Sequence, residues 1–144
     1  MGRHEQREHL FKLLFRTEYH PPQEIKEQME LFFQDEPDFE SDPKGKRPNE
    51  KDLLFVRERF LQILDKIPQI DQMMNERIVR WSLTRIGKVE LALLRMTIYE
   101  ILYDPDVPFG VSVDEAVEIA KKFGGQDASG RFVNAVLAKF KKGG

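Results

Sequence analysis

Apolar side chains recur every three to four residues along most of the chain, a spacing typical of amphipathic helices. A first such stretch covers residues 4–18 and stops at His20-Pro21-Pro22, and a second covers residues 22–35. The strict alternation of apolar and polar residues that marks a half-buried β-strand is absent over any useful length. The pattern therefore predicts an all-α protein.

Prolines divide the middle of the chain. The segment 36–48 places three prolines and a glycine among charged residues, which predicts a mobile loop. Asn49 is then the predicted N-cap of the next helix. Pro68 is expected to interrupt that helix, because a proline inside a helix removes a backbone donor and clashes with the preceding turn. A short helix is expected to continue from there toward Trp81.

Three further helices are expected in the second half of the chain. A strongly apolar helix runs from Lys88 to about Tyr103. The stretch 112–115, Ser-Val-Asp-Glu, has the form of a capping box and opens the next helix, which Gly124-Gly125 ends. Ser129 is the predicted N-cap of the last helix.

About seven helices in a chain of 144 residues suit a single domain. We expect it to consist of two small helical-bundle subdomains, residues 1–67 and 68–144. The hydrophobic content of 40% is enough for a core, and no 20-residue apolar run predicts a membrane span. The N-terminus lacks the apolar segment of a secretory signal, and the absence of cysteine excludes disulfides and cysteine-ligated zinc. These features fit a cytoplasmic protein.

The polar residues form no catalytic or metal-binding motif. His4, His9 and His20 have no partners at metal-ligand spacing, and no glycine-rich phosphate loop is present. Asp114 and Glu115 are adjacent in a predicted helix, so they point about 100° apart and do not form a carboxylate pair. The pattern therefore predicts neither an enzyme nor a cofactor.

The distribution of charge is more informative than the net charge of −2. Residues 18–42 carry nine acidic side chains and one basic one, whereas residues 119–144 carry six basic side chains and one acidic one. Residues 1–16 also carry more bases than acids. Two interpretations stay open: the basic residues form ordinary solvated helix faces, or the two chain ends converge into one basic surface.

The residues from Trp81 to Leu137 carry a specific combination of short motifs. These are Trp81-Ser82-Leu83-Thr84-Arg85, Leu94-Arg95, Tyr99-Glu100, Asp114-Glu115-Ala116-Val117 and Ser129-Gly130-Arg131-Phe132-Val133-Asn134. In this order and spacing they resemble the NusB family of bacterial transcription antitermination factors. The likeness is strong over residues 81–138 and continues, more weakly but colinearly, from residue 3 to residue 80.

The resemblance implies a fold of two helical subdomains, with three helices in one and four in the other. It implies a protein partner, the small ribosomal-subunit protein that doubles as NusE. It implies a ligand, the single-stranded boxA element of ribosomal RNA leader transcripts. The family is not enzymatic, and it holds RNA and partner beside RNA polymerase so that elongation resists termination.

The family's RNA surface can be carried over residue by residue. The matching positions are Arg3, Arg7, Phe15, Ser129, Arg131, Phe132 and Asn134. Arginine neutralises phosphates and aromatic rings stack on unpaired bases, while a helix N-terminus at Ser129 would offer backbone N–H groups to an anion. Lys121 and Lys122 are a solvated helix face by default, and their closeness in sequence to this turn favours RNA contact.

The sequence departs from the family pattern in four places. The N-terminal arm has isolated arginines where many members have a cluster, and Phe15 replaces the usual tyrosine. The turn from Gly124 to Gly130 is one residue longer than in several relatives, so either Asp127 or Ala128 holds the family's polar position. Ala135 stands where the family often has glycine.

Several alternatives remain open at this point. Phe132 either packs into the core or faces RNA, and Arg95 is expected to be partly buried against Glu100 or a carbonyl group. A protein-interaction module with little RNA affinity of its own, including a homodimer that masks the basic surface, is the main alternative function. An RNA-modifying enzyme is disfavoured, because the chain leaves no room for a nucleotide-cofactor domain.

Overall fold

The computed structural model describes residues 2–35, 50–78, 86–125 and 127–141. These residues form six α-helices and one short 3-10 turn, Pro22–Glu24, with no β-strand among them. The helices are α1 (Arg3–Thr17), α2 (Ile25–Asp35), α3 (Glu50–Arg77), α4 (Lys88–Tyr103), α5 (Phe109–Gly124) and α6 (Asp127–Ala138). The all-α prediction is confirmed. The predicted loop 36–48, the N-cap at Asn49 and the segment around Trp81 lie outside the described residues.

The described residues give six helices rather than about seven because α3 continues through Pro68. The apolar register is unbroken across this proline, and Ile63, Ile70 and Met74 are fully buried. Burying each such side chain stabilises a fold by about 1.5–3 kcal/mol, whereas a proline inside a helix costs about 3 kcal/mol. The combined burial therefore outweighs the proline, and the prediction that Pro68 interrupts the helix is wrong.

Two predicted serine caps are also wrong, for a shared reason. Helix α5 begins at Phe109, so Ser112 lies inside the helix, where its hydroxyl donates to Oε1 of Glu100 at 2.7 Å. Helix α6 begins at Asp127, so Ser129 also lies inside its helix. Both serines are buried. A buried hydroxyl needs a partner, and here an acceptor on a neighbouring helix supplies it.

The chain divides into two compact units, Met1–Gln62 and Ile63–Gly144. In the first unit α1 packs against α2. Its core consists of leucine, phenylalanine, methionine and valine side chains, among them Leu10, Phe11, Leu13, Leu14, Met29, Phe32, Val56 and Phe60. These positions recur every three to four residues along α1, which is why that segment forms an amphipathic helix.

In the second unit α4 packs against both α5 and α6, and α5 packs against α6. Because α4 has neighbours on more than one side, its buried residues include four in succession, Leu91 to Leu94. Helix α5 ends at Gly124 and is capped by Gly125, whose φ of 77° is the left-handed conformation that glycine adopts most readily. The predicted helix end at Gly124-Gly125 is therefore confirmed.

Two arginines hold the second unit together. The guanidinium of Arg95 donates to both carboxylate oxygens of Asp71, at 2.9 and 2.7 Å. The expectation that Arg95 is a partly buried structural residue is confirmed, and Asp71 is a partner that the sequence did not suggest. At the end of α3, Arg77 donates to the carbonyl oxygen of Lys139 at 3.0 Å and lies over the ring of Phe140, 4.6 Å from its centroid.

Candidate nucleic-acid interface

Helix α1 carries the three predicted RNA-binding residues of the first unit, in different environments. Arg3 is exposed at the first position of the helix, whereas Arg7 is only 8% exposed. Arg7 lies three, four and seven residues before Leu10, Phe11 and Leu14, so it shares their buried face. Arg3 is therefore the accessible cation of the pair.

Phe15 belongs to a row of aromatic rings along α1. The rings of Phe11 and Phe15 stack with centroids 6.0 Å apart, and Tyr19 meets Phe15 edge-on at 5.4 Å. Phe15 is half-buried in this row, while Tyr19 is 60% exposed. Sequence reasoning singled out Phe15 and missed Tyr19, although the four-residue spacing between them indicated one continuous row.

The end of α5 and the body of α6 bring together most of the predicted residues of the second unit. The exposed ones are Lys121, Lys122, Arg131 and Asn134. Phe132 is half-buried, which is intermediate between its two predicted roles. The ammonium of Lys122 lies 5.3 Å from the ring centroid of Phe123. Helices α5 and α6 therefore present three cations and one amide to solvent.

Ser129 faces the protein interior. The Ser129 hydroxyl donates to Oε1 of Glu90 at 2.8 Å, and Ser129 is only 7% exposed. Glu90 lies in the first turn of α4, and Ser129 lies in the first turn of α6. A carboxylate near the N-terminus of a helix is favourable, since that end carries partial positive charge. The hydroxyl of this predicted RNA-binding residue is therefore engaged in joining two helices.

The acidic part of the first unit also contains a defined ion pair. Arg57 on α3 donates to both carboxylate oxygens of Glu30 on α2 and lies 4.9 Å from the ring centroid of Phe33. The hydrogen bond from Arg57 holds the pKa of the Glu30 carboxyl below its ordinary value. One of the acidic side chains of α2 is thus used to join helices within this unit.

Two further classes of site were sought in the described parts of the chain. No group of three or more potential metal ligands occurs among those residues. None of the described helices combines the length and apolar character needed to cross a membrane.

Comparison with known proteins identifies this arrangement. The model of the NusB family matches residues 4–142. Transcription antitermination protein NusB of Agathobacter rectalis is 39% identical over 140 residues, covering 97% of this chain and 99% of that protein. The protein of the same name from Lachnoclostridium phytofermentans is 41% identical over 139 residues, covering 96% and 98%.

Solved structures give the same result. T. maritima NusB superimposes with a TM-score of 0.80 at 29% identity, covering 99% of this chain and 92% of that one. A chain in the crystal structure of a plectonemic RNA supercoil shares the fold, with a TM-score of 0.73 at 24% identity. Fold and relatives together define a transcription antitermination factor. The chain belongs to the NusB family.

Proposed function

We propose that this antitermination factor binds the single-stranded boxA element of ribosomal RNA leader transcripts together with the ribosomal protein NusE. The observation that carries the proposal is the exposed group formed by Lys121, Lys122, Arg131 and Asn134 on α5 and α6. No ion pair joins Lys121 or Arg131 to an acidic side chain among the described residues. Cations in this state are available to neutralise phosphates.

RNA-binding by a chain of net charge −2 depends on local rather than total charge. Arg3 supplies an exposed cation on the first unit, while the half-buried Phe15 and Phe132 keep part of their surface accessible for base contacts. Arg7 is buried and the Ser129 hydroxyl is engaged. The chain alone therefore offers few accessible RNA contacts. We expect useful affinity to require NusE, which extends the RNA-binding surface.

The role is architectural. The protein holds RNA and NusE beside RNA polymerase in the cytoplasm, and no step of it requires catalysis or a cofactor. We expect the two basic chain ends to act on one RNA molecule, which is one of the two interpretations that the charge distribution left open. Cross-linking of one labelled RNA to residues of both units tests this point directly.

The main test is a titration of fluorescently labelled boxA RNA with and without NusE. Measured at about 50 and 200 mM salt, binding should weaken as salt rises, because phosphate contacts release counterions. An RNA of the same composition and scrambled sequence is the matched control and should bind less tightly. Absence of salt-dependent binding under both conditions would contradict the proposal.

A protein-interaction module without RNA affinity of its own is the second candidate. The burial of Arg7 and the internal bond of Ser129 favour it, since each removes a predicted RNA contact. This function predicts full-strength NusE binding but no RNA footprint, even in the complex. A homodimer that covers the basic surface is a variant of it, and light scattering at several protein concentrations detects it.

A further inference from the structure

We infer that Gly130 is a positioning residue of the RNA surface. Because glycine has no side chain, Lys121 can lie against α6 at this point, where the lysine ammonium acts together with Arg131. The inference rests on the proposed RNA-binding function and adds to it a residue that never touches the ligand. Its basis is the packing between the last turn of α5 and the first turns of α6.

Gly130 packs closely against the side chain of Lys121, along most of the length of that side chain. A Cβ placed on Gly130 would lie 3.1 Å from Cγ and 3.3 Å from Cε of Lys121, and 3.3 Å from Cγ1 of Val117. Gly130 is buried, while Lys121 remains exposed overall. The aliphatic stem of Lys121 therefore lies over the α6 backbone at Gly130, and its charged end reaches solvent beyond it.

This position determines where the charge goes. The stem meets α6 at Gly130, and the neighbouring residue is the exposed Arg131. Asn134 is also exposed. It lies four residues after Gly130 and therefore on the same face of α6 as Gly130. A lysine whose stem is held against a helix loses less conformational entropy when it binds a phosphate than one that moves freely.

The electrostatics around Lys121 support a ligand role. Lys121 lies in the last turn of α5, where a cation is favoured by the partial negative charge of the helix end. Asp127 is the acidic residue nearest in sequence within α6, yet no ion pair forms between it and Lys121. The ammonium is thus held in place by its stem rather than by a counter-ion.

A methyl group at Gly130 would disturb this arrangement. Contacts of 3.1–3.3 Å are shorter than ordinary van der Waals distances, so either Val117 or the Lys121 stem must move. Val117 is β-branched and stiff, whereas the lysine stem is flexible. Gly130→Ala should therefore displace Lys121 from α6 while leaving the helix itself formed, since alanine is the better helix former.

The experiment is a double-mutant cycle in RNA binding with NusE present. The variants are Gly130→Ala, Lys121→Ala and the two combined, each titrated with boxA RNA over a range of salt concentrations. Either single change should weaken binding several-fold and reduce the salt slope by up to about 0.7, the value for one phosphate contact on a single strand. The double variant should bind no more weakly than Lys121→Ala.

Gly110→Ala is the matched control. It introduces the same methyl group into α5, where no atom lies within 4 Å of the added Cβ. It should leave both affinity and salt slope unchanged. Circular dichroism and thermal unfolding of every variant show whether the variant is still folded. If a variant lost binding only because part of it is unfolded, the salt slope of the folded fraction would be unaltered.

The outcomes separate the inference from the function on which it rests. Failure of the unmodified protein and NusE to bind boxA RNA overturns the proposed function. Normal binding and an unchanged salt slope in Gly130→Ala overturn the inference alone. Additive effects of Gly130→Ala and Lys121→Ala overturn it as well, because they would show that the glycine does not act through the lysine.

Discussion

Ser129 and Glu90 join the first turns of two helices that lie far apart in the sequence: the serine hydroxyl donates to the glutamate carboxylate at 2.8 Å. This bond sets the start of α6 against α4. Because the exposed Arg131 follows two residues later on α6, the bond also helps to fix the direction in which that cation is presented.

Replacing Ser129 with alanine should lower the free energy of unfolding by about 1–2 kcal/mol. Hydrogen bonds to charged groups are worth about 1.5–3 kcal/mol, and the half-buried Glu90 regains part of that loss from water. Glu90→Gln keeps an acceptor oxygen and should cost less. Urea unfolding measures both. Glu118→Gln on the exposed face of α5 is the control, and an equal loss there would contradict the assignment.

Ser112→Ala should be more costly than Ser129→Ala. Ser112 is 2% exposed and Glu100 is 7% exposed, so water cannot replace the lost donor. A buried carboxylate deprived of a hydrogen bond costs about 1.5–3 kcal/mol. Chemical denaturation of the two serine variants side by side tests the order, and the reverse order would show that burial does not decide the cost.

The Arg95–Asp71 pair should show strong coupling in a double-mutant cycle. Its side chains are 14% and 21% exposed and its geometry is bidentate. Removing one partner leaves a poorly solvated charge and should cost about 2–3 kcal/mol. Removing both should cost less than the sum of the single losses. Thermal unfolding of Arg95→Met, Asp71→Leu and the combination measures the coupling, and strict additivity would show that the ions act independently.

The Glu30–Arg57 pair predicts a small loss of stability at acid pH. The pKa of Glu30 is lowered in the folded protein by the hydrogen bond from Arg57. The unfolded chain therefore takes up this proton more readily, so the stabilisation is present above the unfolded-state pKa and is lost as pH falls through the lowered folded-state pKa. NMR titration of the Glu30 carboxyl should show its pKa rise in Arg57→Gln. An unchanged titration would contradict the pairing.

Arg131→Ala separates two ways of contacting RNA. If the guanidinium reads a base, binding to boxA RNA in the presence of NusE should weaken by about 1–3 kcal/mol. If it touches a phosphate, the salt slope should fall by about 0.7, the value for one contact on a single strand. Arg131→Lys keeps the charge and loses the planar fork, so it should restore only phosphate contact. Fluorescence titration distinguishes these results. Unchanged RNA affinity and salt slope in Arg131→Ala would show that this residue does not contact the RNA.

The helical elements were predictable because local signals determine them. The apolar spacing from Lys88 to Tyr103 and the glycine pair at 124–125 gave the bounds of α4 and the end of α5 correctly. Pro68 was misread because the burial that outweighs it comes from tertiary packing. The bonding partners of Ser112 and Ser129 lie 12 and 39 residues away in sequence, which no local pattern reveals.

The candidate site was predictable in part for the same reason. The resemblance to the NusB family marked the exposed Arg131 and Asn134, and charge marked Lys121 and Lys122. Arg7 is buried because it shares a helix face with Leu10 and Leu14, and that spacing was visible in the sequence. The close approach of Lys121 to Gly130 was not visible, because it depends on how two helices pack.

The contact of Arg77 with the last turn of the second unit bears on how the protein folds during its synthesis. The arginine leaves the ribosome 62 residues before the carbonyl group of Lys139 that it binds. Domains made on the ribosome fold as units, N-terminal first, so the first unit has its whole core available early. The second unit cannot complete its core before α6 has been made. Until residue 140 emerges, α4 exposes apolar side chains to solvent. Transiently exposed apolar surface is prone to aggregation, so a nascent chain should be most vulnerable during that interval.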